Sequence, residues 1–371
     1  MRRWVLGVLF IMMTVGATGC ADRISVEDMT LSLLVGIDLD DQDQLVVSVS
    51  SPVFSKEAKD REEEMIVRSI TLRQSREELD RGVVGRTIGG KTQAILIGKR
   101  VLQQQDWFKL LDPYYRDVKN TAQPTIIAVD GTVSDIITFA PPDKPRLPVY
   151  LTKLIQTAHL RNITVRTTLQ DLHRQMFEKG ITPSITELRK DSGLKVMGTA
   201  LLKEDGRYAL SLDPNENKLL AILGHENKGE FPFTVHLPSR PNVQKFSYDT
   251  ISFSAPDITT KTKVHYANGK FSFDVRAKMR IVLTERAFPL DVETEVAPFQ
   301  EELARELENQ FQLLIKKIQT ARIDPVGFGL YARAQQYKHW KAVQDDWGEA
   351  LARANVNVHV DVKVLGLGAV K

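Results

Sequence analysis

Among 371 residues there is a single cysteine, Cys20. One thiol cannot make an internal disulfide or a cysteine metal cage, and at this position it does not read as a catalytic nucleophile. Long apolar runs are just as scarce: after residues 4–15, no segment approaches the roughly 20 apolar residues that a bilayer core requires. Excess charge is missing too. With 50 Lys+Arg against 47 Asp+Glu the formal charge is only +3, too weak a field for nucleic-acid binding. The seven histidines, His159, His173, His225, His236, His265, His339 and His359, are scattered. None forms the i, i+4 pair or the tight cluster with carboxylates that a metal site needs. A serine nucleophile elbow is also absent. The chain therefore reads as a non-enzyme without metal or cofactor.

What is present begins at the N-terminus. Arg2 and Arg3 precede an uncharged apolar stretch, and Gly16-Ala17-Thr18-Gly19 places small residues directly before Cys20. The apolar stretch is too short to span, and small residues before a cleavage point mark a signal peptide over residues 1–19. The ending is similar to a bacterial lipobox, whose cysteine takes a diacylglyceryl group and becomes the new N-terminus. Cys20 is thus the expected lipidation site, and two acyl chains suffice for stable anchoring. Loss of residues 1–19 removes two arginines and lowers the formal charge from +3 to +1. Residues 20–30 then form a short polar, lipidated tether.

Residues 31–193 alternate strands and helices in the manner of an α/β region. A first hairpin joins 31–38 to 44–50 through Asp40-Asp41-Gln42-Asp43, and the charged stretch 55–64 reads as a solvated loop. Ser75 and Glu78 have capping-box spacing, which predicts a helix over 76–84. A buried strand at 94–97, a helix near 107–115 and a strand at 125–129 follow. Residues 141–148, with four prolines, are a stiff linker or crossing loop and a possible subdomain break. Helices are expected at 151–160 and at 169–179, the second capped by Thr168 and ended by Gly180.

From residue 194 the pattern changes to long alternating strands. Asp205-Gly206 and Asn268-Gly269 each signal a tight hairpin, in which both central positions need positive φ. In 270–284, Phe271, Phe273, Val275, Ala277, Met279, Ile281 and Leu283 share one face while Asp274, Arg276, Lys278 and Arg280 share the other. Such a strand is covered on one side and wet on the other. A helix over 298–322 offers Leu303, Leu307, Phe311, Leu314 and Ile318 as its cover, and Pro325, Gly327 and Gly329 are placed to end it. Trp340, Val343, Trp347 and Leu351 fall on one helix face and read as core. Residues 356–364 alternate as a further antiparallel strand. The fold class is mixed α/β and α+β in several domains. An N-terminal α/β region, 31–193, precedes an α+β domain, 194–371, with an antiparallel sheet packed against long helices.

Residues 85–92, Gly-Arg-Thr-Ile-Gly-Gly-Lys-Thr, match the phosphate-loop pattern letter for letter. A working loop follows a strand and opens a helix whose N-terminal amides face the phosphates. Here a helix precedes and a strand follows, so the segment reads as a Gly-rich turn and no nucleotide is expected.

Near the C-terminus, Ile318-Gln319-Thr320-Ala321-Arg322 leads to Asp324-Pro325-Val326-Gly327-Phe328-Gly329, then to Trp340-Lys341 and Asp346-Trp347. Together with Cys20, Asp22 and Arg23, Val35-Gly36-Ile37-Asp38, Leu96-Ile97-Gly98, Arg116-Asp117 and residues 195–200, these blocks resemble the spore germination lipoprotein family, the C subunits of nutrient germinant receptors. The resemblance implies a lipoprotein on the outer face of the cell or spore inner membrane. It also implies two integral-membrane partners, the A and B subunits, and a role in converting a nutrient signal into germination. The alternative is a solute-binding lipoprotein of a transporter. That protein would share the anchor but show two comparable lobes around a ligand cleft.

Overall fold

The computed structural model describes residues 25, 28–54, 57–83, 85–140, 143–226, 228–237, 249–286 and 295–366. Cys20 and residues 1–19, the expected signal peptide, lie outside the described residues.

The chain opens with β1 (Met29–Leu31), then β2 (Leu34–Leu39), β3 (Leu45–Pro52) and β4 (Glu62–Arg68). Helix α1 (Leu72–Asp80) leads to β5 (Arg86–Ile88), which pairs in parallel with β1. Next come β6 (Ala94–Gly98), α2 (Lys99–Leu102), a 3₁₀ turn at Trp107–Leu111, α3 (Asp112–Arg116) and β7 (Thr125–Val129). Helices α4 (Val133–Ile137), α5 (Leu147–Leu160) and α6 (Leu169–Phe177) precede β8 (Ser184–Lys190), β9 (Leu194–Leu202) and β10 (Tyr208–Leu212). These strands build an eight-stranded sheet of order β10-β9-β8-β7-β6-β2-β3-β4. Its centre, β8-β7-β6-β2, is parallel, and both flanks are antiparallel.

Both faces of this sheet are covered, so β6 and β7 at its centre are apolar from Ala94 to Ile97 and from Ile126 to Val129. Ile95 and Ile97 pack with Leu79, Trp107 and Leu172 on one face. Ala94 and Leu96 pack with Val133, Ile136 and Leu151 on the other.

The second sheet, of order β11-β12-β13-β14, comprises β11 (Pro232–His236), β12 (Thr250–Ala267), β13 (Lys270–Arg286) and β14 (Asn355–Gly366). Helix α7 (Pro214–Leu223) joins the sheets, and α8 (Val296–Ala321) covers the second. The apolar face of β13 is buried from Phe271 to Leu283, whereas Arg276, Lys278 and Arg280 are exposed. Phe299, Leu303, Leu307, Phe311, Leu314 and Ile318 of α8 supply the cover. Three short helices, α9 (Phe328–Gln335), α10 (Tyr337–Lys341) and α11 (Trp347–Ala352), close the core before β14. The two-residue turn at Asn268-Gly269 has both φ positive, 52° and 76°.

Several sequence expectations need correction. Strands β9 and β10 extend the first sheet beyond β8, so this sheet draws on residues from both sides of the expected 193/194 division. Alternation marks a half-buried strand but not the sheet edge it joins. Strand β14 runs parallel to β13, so the second sheet is not wholly antiparallel. The segment from α8 to α11 is the long crossover that a parallel pair requires. Helix α1 starts one turn earlier than expected: Thr71 caps it by accepting from the Gln74 N–H, and Ser75 lies buried inside. At Asp205-Gly206 only Gly206 has positive φ, and Lys203 and Arg207 pair around a longer loop. Strand β4 occupies part of the expected solvated loop, and α5 starts at Leu147 within the expected linker. Trp340, Val343, Trp347 and Leu351 do not share one helix, since α10 ends at Lys341 and a 3₁₀ turn at Gln344–Asp346 precedes α11. Both tryptophans are buried all the same.

Candidate functional site

Helix α8 ends not at Pro325 but at Arg322, which takes the left-handed conformation with φ 56°. Two residues on, Asp324 is fully buried. Its Oδ1 accepts from the backbone N–H groups of Gly327 and Phe328, at 2.8 and 3.0 Å. Its Oδ2 accepts from the Gly329 N–H at 2.8 Å and from the Trp347 indole N–H at 2.7 Å. Both oxygens acting only as acceptors is the pattern of a carboxylate. Burial pushes its pKa up to about 6, against the four donated hydrogen bonds that favour the charge. The side chain thus shapes the loop that opens α9 and pins it to α11.

The backbone of Asp324 reaches in the opposite direction. Its N–H donates to Thr182 Oγ1 at 3.0 Å, and its carbonyl accepts from the Thr182 N–H at 2.8 Å. Thr182 lies between α6 and β8, so one residue bolts the second sheet's helical cover to the first sheet. Gly180, at φ 92°, and Gly329 meet backbone to backbone there, and a Cβ on Gly329 would strike the Gly180 Cα. Glu178 pairs with Arg333 at 2.5 Å, Lys179 pairs with Asp345, and Lys317 reaches Glu216 at 2.8 Å. With four donors on its two oxygens, Asp324 is a positioning group.

The phosphate-loop lettering lands on a helix–strand–turn–strand path, from α1 through β5 and the turn 89–92 into β6. The Thr92 hydroxyl shares its one proton between the carbonyls of Ser32 and Gly89, at 2.9 and 2.8 Å, and so ties the turn to the segment between β1 and β2. Gly90 sits against the Lys119 carbonyl, where a Cβ would come within 2.6 Å.

The histidines remain apart, each with local partners. His159 contacts the Thr164 carbonyl, His225 contacts Thr262 and packs on Tyr331, and His173 packs between Tyr115 and Phe177. His236, His265 and His359 each approach one carboxylate, and His339 stacks on Tyr266. Among the described residues no group of three or more His, Cys, Asp or Glu could hold a metal.

Comparison with known proteins gives this architecture its context. Residues 22–190 match the spore germination protein N-terminal domain, and residues 197–368 match the family described as spore germination B3/GerAC like, C-terminal. This chain belongs to the Ger(x)C family of germinant-receptor C subunits. Spore germination protein B3 of Bacillus subtilis (strain 168) is 23% identical over 293 residues, 75% of this chain and 74% of that protein. The crystal structure of the GerBC protein superposes with a TM-score of 0.55 at 17% identity, over 89% of this chain and 96% of that one. That likeness carries the fold.

Within this Ger(x)C chain, several of the described sequence blocks behind the resemblance are packing devices. Asp38 in β2 accepts from the Leu39 and Val133 N–H groups, both at 2.9 Å, and Gly98 at the end of β6 leaves room for it. Gly198 in β9, at φ 142°, lies against the Leu212 carbonyl. Sequence reasoning quoted Asp324 in the C-terminal block and gave a role to the glycines around it, but none to Asp324 itself. The available signal was a lone acid three to five residues ahead of amides that open a helix.

Proposed function

We propose that this chain is the membrane-anchored lipoprotein subunit of a nutrient germinant receptor. It is held by acyl chains on Cys20 at the outer face of the cell or spore inner membrane, and it assembles with the integral-membrane A and B subunits. The observation that carries this reading is family membership over both halves of the chain, from a match that begins at residue 22, two positions after Cys20. No helix among the described residues is long and apolar enough to cross a membrane. An anchor confines the folded body to a surface and raises its effective concentration near membrane partners. The buried network at Asp324 holds the regions around the two sheets together within the chain.

Cys20→Ala spores provide the test. The variant should lose membrane association or accumulate as unprocessed precursor, and nutrient germination should fall while germination by receptor-independent triggers persists. Crosslinking in spore membranes should recover the A and B subunits with the unaltered chain. Mature-length, detergent-phase protein from the Cys20→Ala gene would sink the anchor.

A further inference from the structure

A cleft of about 710 Å³ opens between α1, β5 and the loop that follows α3. Arg73, Arg76, Arg86, Arg116 and Lys119 line it, against three carboxylates, Asp80, Asp112 and Asp117, which leaves a surplus of two positive charges. Asp117 lies 3.3 Å from Arg76 and 3.8 Å from Arg73, and Asp112 lies 2.6 Å from Arg116. The exposed Arg86 makes no ion pair among the described residues.

Two buried polar atoms of the lining have no hydrogen-bond partner among the described residues: Thr87 Oγ1 and Asn120 Oδ1. Thr87 is only 7% exposed, so its hydroxyl is buried and still unspent. The Asn120 amide nitrogen donates to the Pro113 carbonyl at 3.1 Å, which turns its oxygen free as an acceptor. Guanidinium forks suit a phosphate, while an unpaired hydroxyl and an unpaired amide oxygen suit a polar group attached to it. Beside the cleft, Val118 stands 96% exposed between Asp117 and Lys119. An aliphatic side chain held out among cations is what a membrane interface accepts.

Position selects the source of the phosphate. Arg86 pairs directly with Met29 in the β1–β5 ladder, and Met29 is nine residues from Cys20. Nine residues reach at most about 30 Å. Given the anchor at Cys20, on which this step rests, the cleft cannot leave the neighbourhood of the lipid headgroups. We infer that the cleft binds the headgroup of an anionic phospholipid, with the arginines on the phosphate and Thr87 and Asn120 on the headgroup's hydroxyl or amine. The lipid would then orient the body of the protein on the membrane as well as tether it.

The test uses the full chain carrying Cys20→Ala, so that no acyl group contributes and failure of the anchor leaves the result unaffected. Flotation with phosphatidylglycerol vesicles is compared with flotation on phosphatidylcholine vesicles. The chain should prefer the anionic vesicles, and Arg73→Glu with Arg86→Glu should weaken that preference at least tenfold, since each cation near such a surface is worth roughly fivefold. The same charge change at Arg276 and Lys278, on the wet face of β13, is the control and should leave most of the preference in place. Arg86→Gln alone, a milder change at an exposed side chain, should cost several-fold. The pull of Arg2 and Arg3 is common to all variants and cancels. A preference retained in the Arg73/Arg86 variant, or lost equally in the control, overturns the proposal. Saturable binding of inorganic phosphate without any preference between vesicles would assign the cleft to a free phosphate and also overturn it.

Discussion

The two sheets solve the burial problem in opposite ways. In the first, helices cover both faces, and Ala94 through Ile97 are all within 1% of complete burial. In the second, α8 and the short helices cover one face, and along β13 burial alternates with exposure from Phe271 to Leu283. A double-covered sheet commits each residue of its central strands to packing. A single-covered sheet leaves every other position free for charge, and Asp274, Arg276, Lys278 and Arg280 take that freedom. If any part of the molecule adapts to partners without loss of fold, the wet face of the second sheet can do so; the first sheet can adapt only at its edges and loops.

The sharpest way to break the comparison is to remove the residue that serves both sheets. Asp324→Ala strands three backbone amides and the Trp347 indole, and should cost about 3–5 kcal/mol. Denaturant unfolding should show it, together with loss of the single cooperative transition as the sheets come apart.

A substitution scan along β6 and β13 would sharpen the contrast. Leu96→Ala and Ile97→Ala, on opposite faces of β6, should both cost about 2–5 kcal/mol. In β13 the cost should alternate: Phe273→Ala about 3–5 kcal/mol, Lys278→Ala within about 0.5 kcal/mol. Equal sensitivity at neighbouring β13 positions would show that its outer face is covered too.

The pH response of the joint is spread over several pH units and is therefore the most gradual effect. Asp324 has a folded pKa raised from 3.8 to about 6 by burial, so the folded chain holds this proton more tightly than the unfolded one. Its contribution is full below about pH 4 and is lost as pH rises through about 6, at no more than about 1.4 kcal/mol per pH unit. Asp324→Asn should flatten that slope in unfolding midpoints between pH 4 and 7. An unchanged slope would place the titration elsewhere.

Much of this contrast was legible in the sequence. The period of two in 270–284, the Asn-Gly turn at 268–269 and the helical stripe from Leu303 to Ile318 each mark a surface that must be half buried, and each lies where expected. What escaped has physical reasons. Strand direction leaves no trace in a period of two, so β14 was expected antiparallel. Glu62, Glu63 and Glu64 disguised an edge strand, where charge is tolerated because one side is open to water. Helix α7 announced itself through the capping box of Asp213 and Glu216, a signal present in the sequence and passed over. Asp324 was unreadable as a joint because its partners, Thr182 and Trp347, lie 142 and 23 residues away.

The strand order of the first sheet also bears on how the chain acquires its shape as it is synthesised. Strands β6, β7, β8, β9 and β10 occupy consecutive places running outward from β2, while β3 and β4 grow the other way. Each strand that emerges after β6 finds its neighbour already in place, so the sheet can grow by accretion at one edge while the rest of the chain is still being delivered. The second sheet has no such option. Strand β14, which pairs with β13 along nearly its whole length, is the last to arrive, after the entire crossover. Until it docks, β13 is an edge strand, so this half should remain open to premature pairing until the C-terminal residues are through.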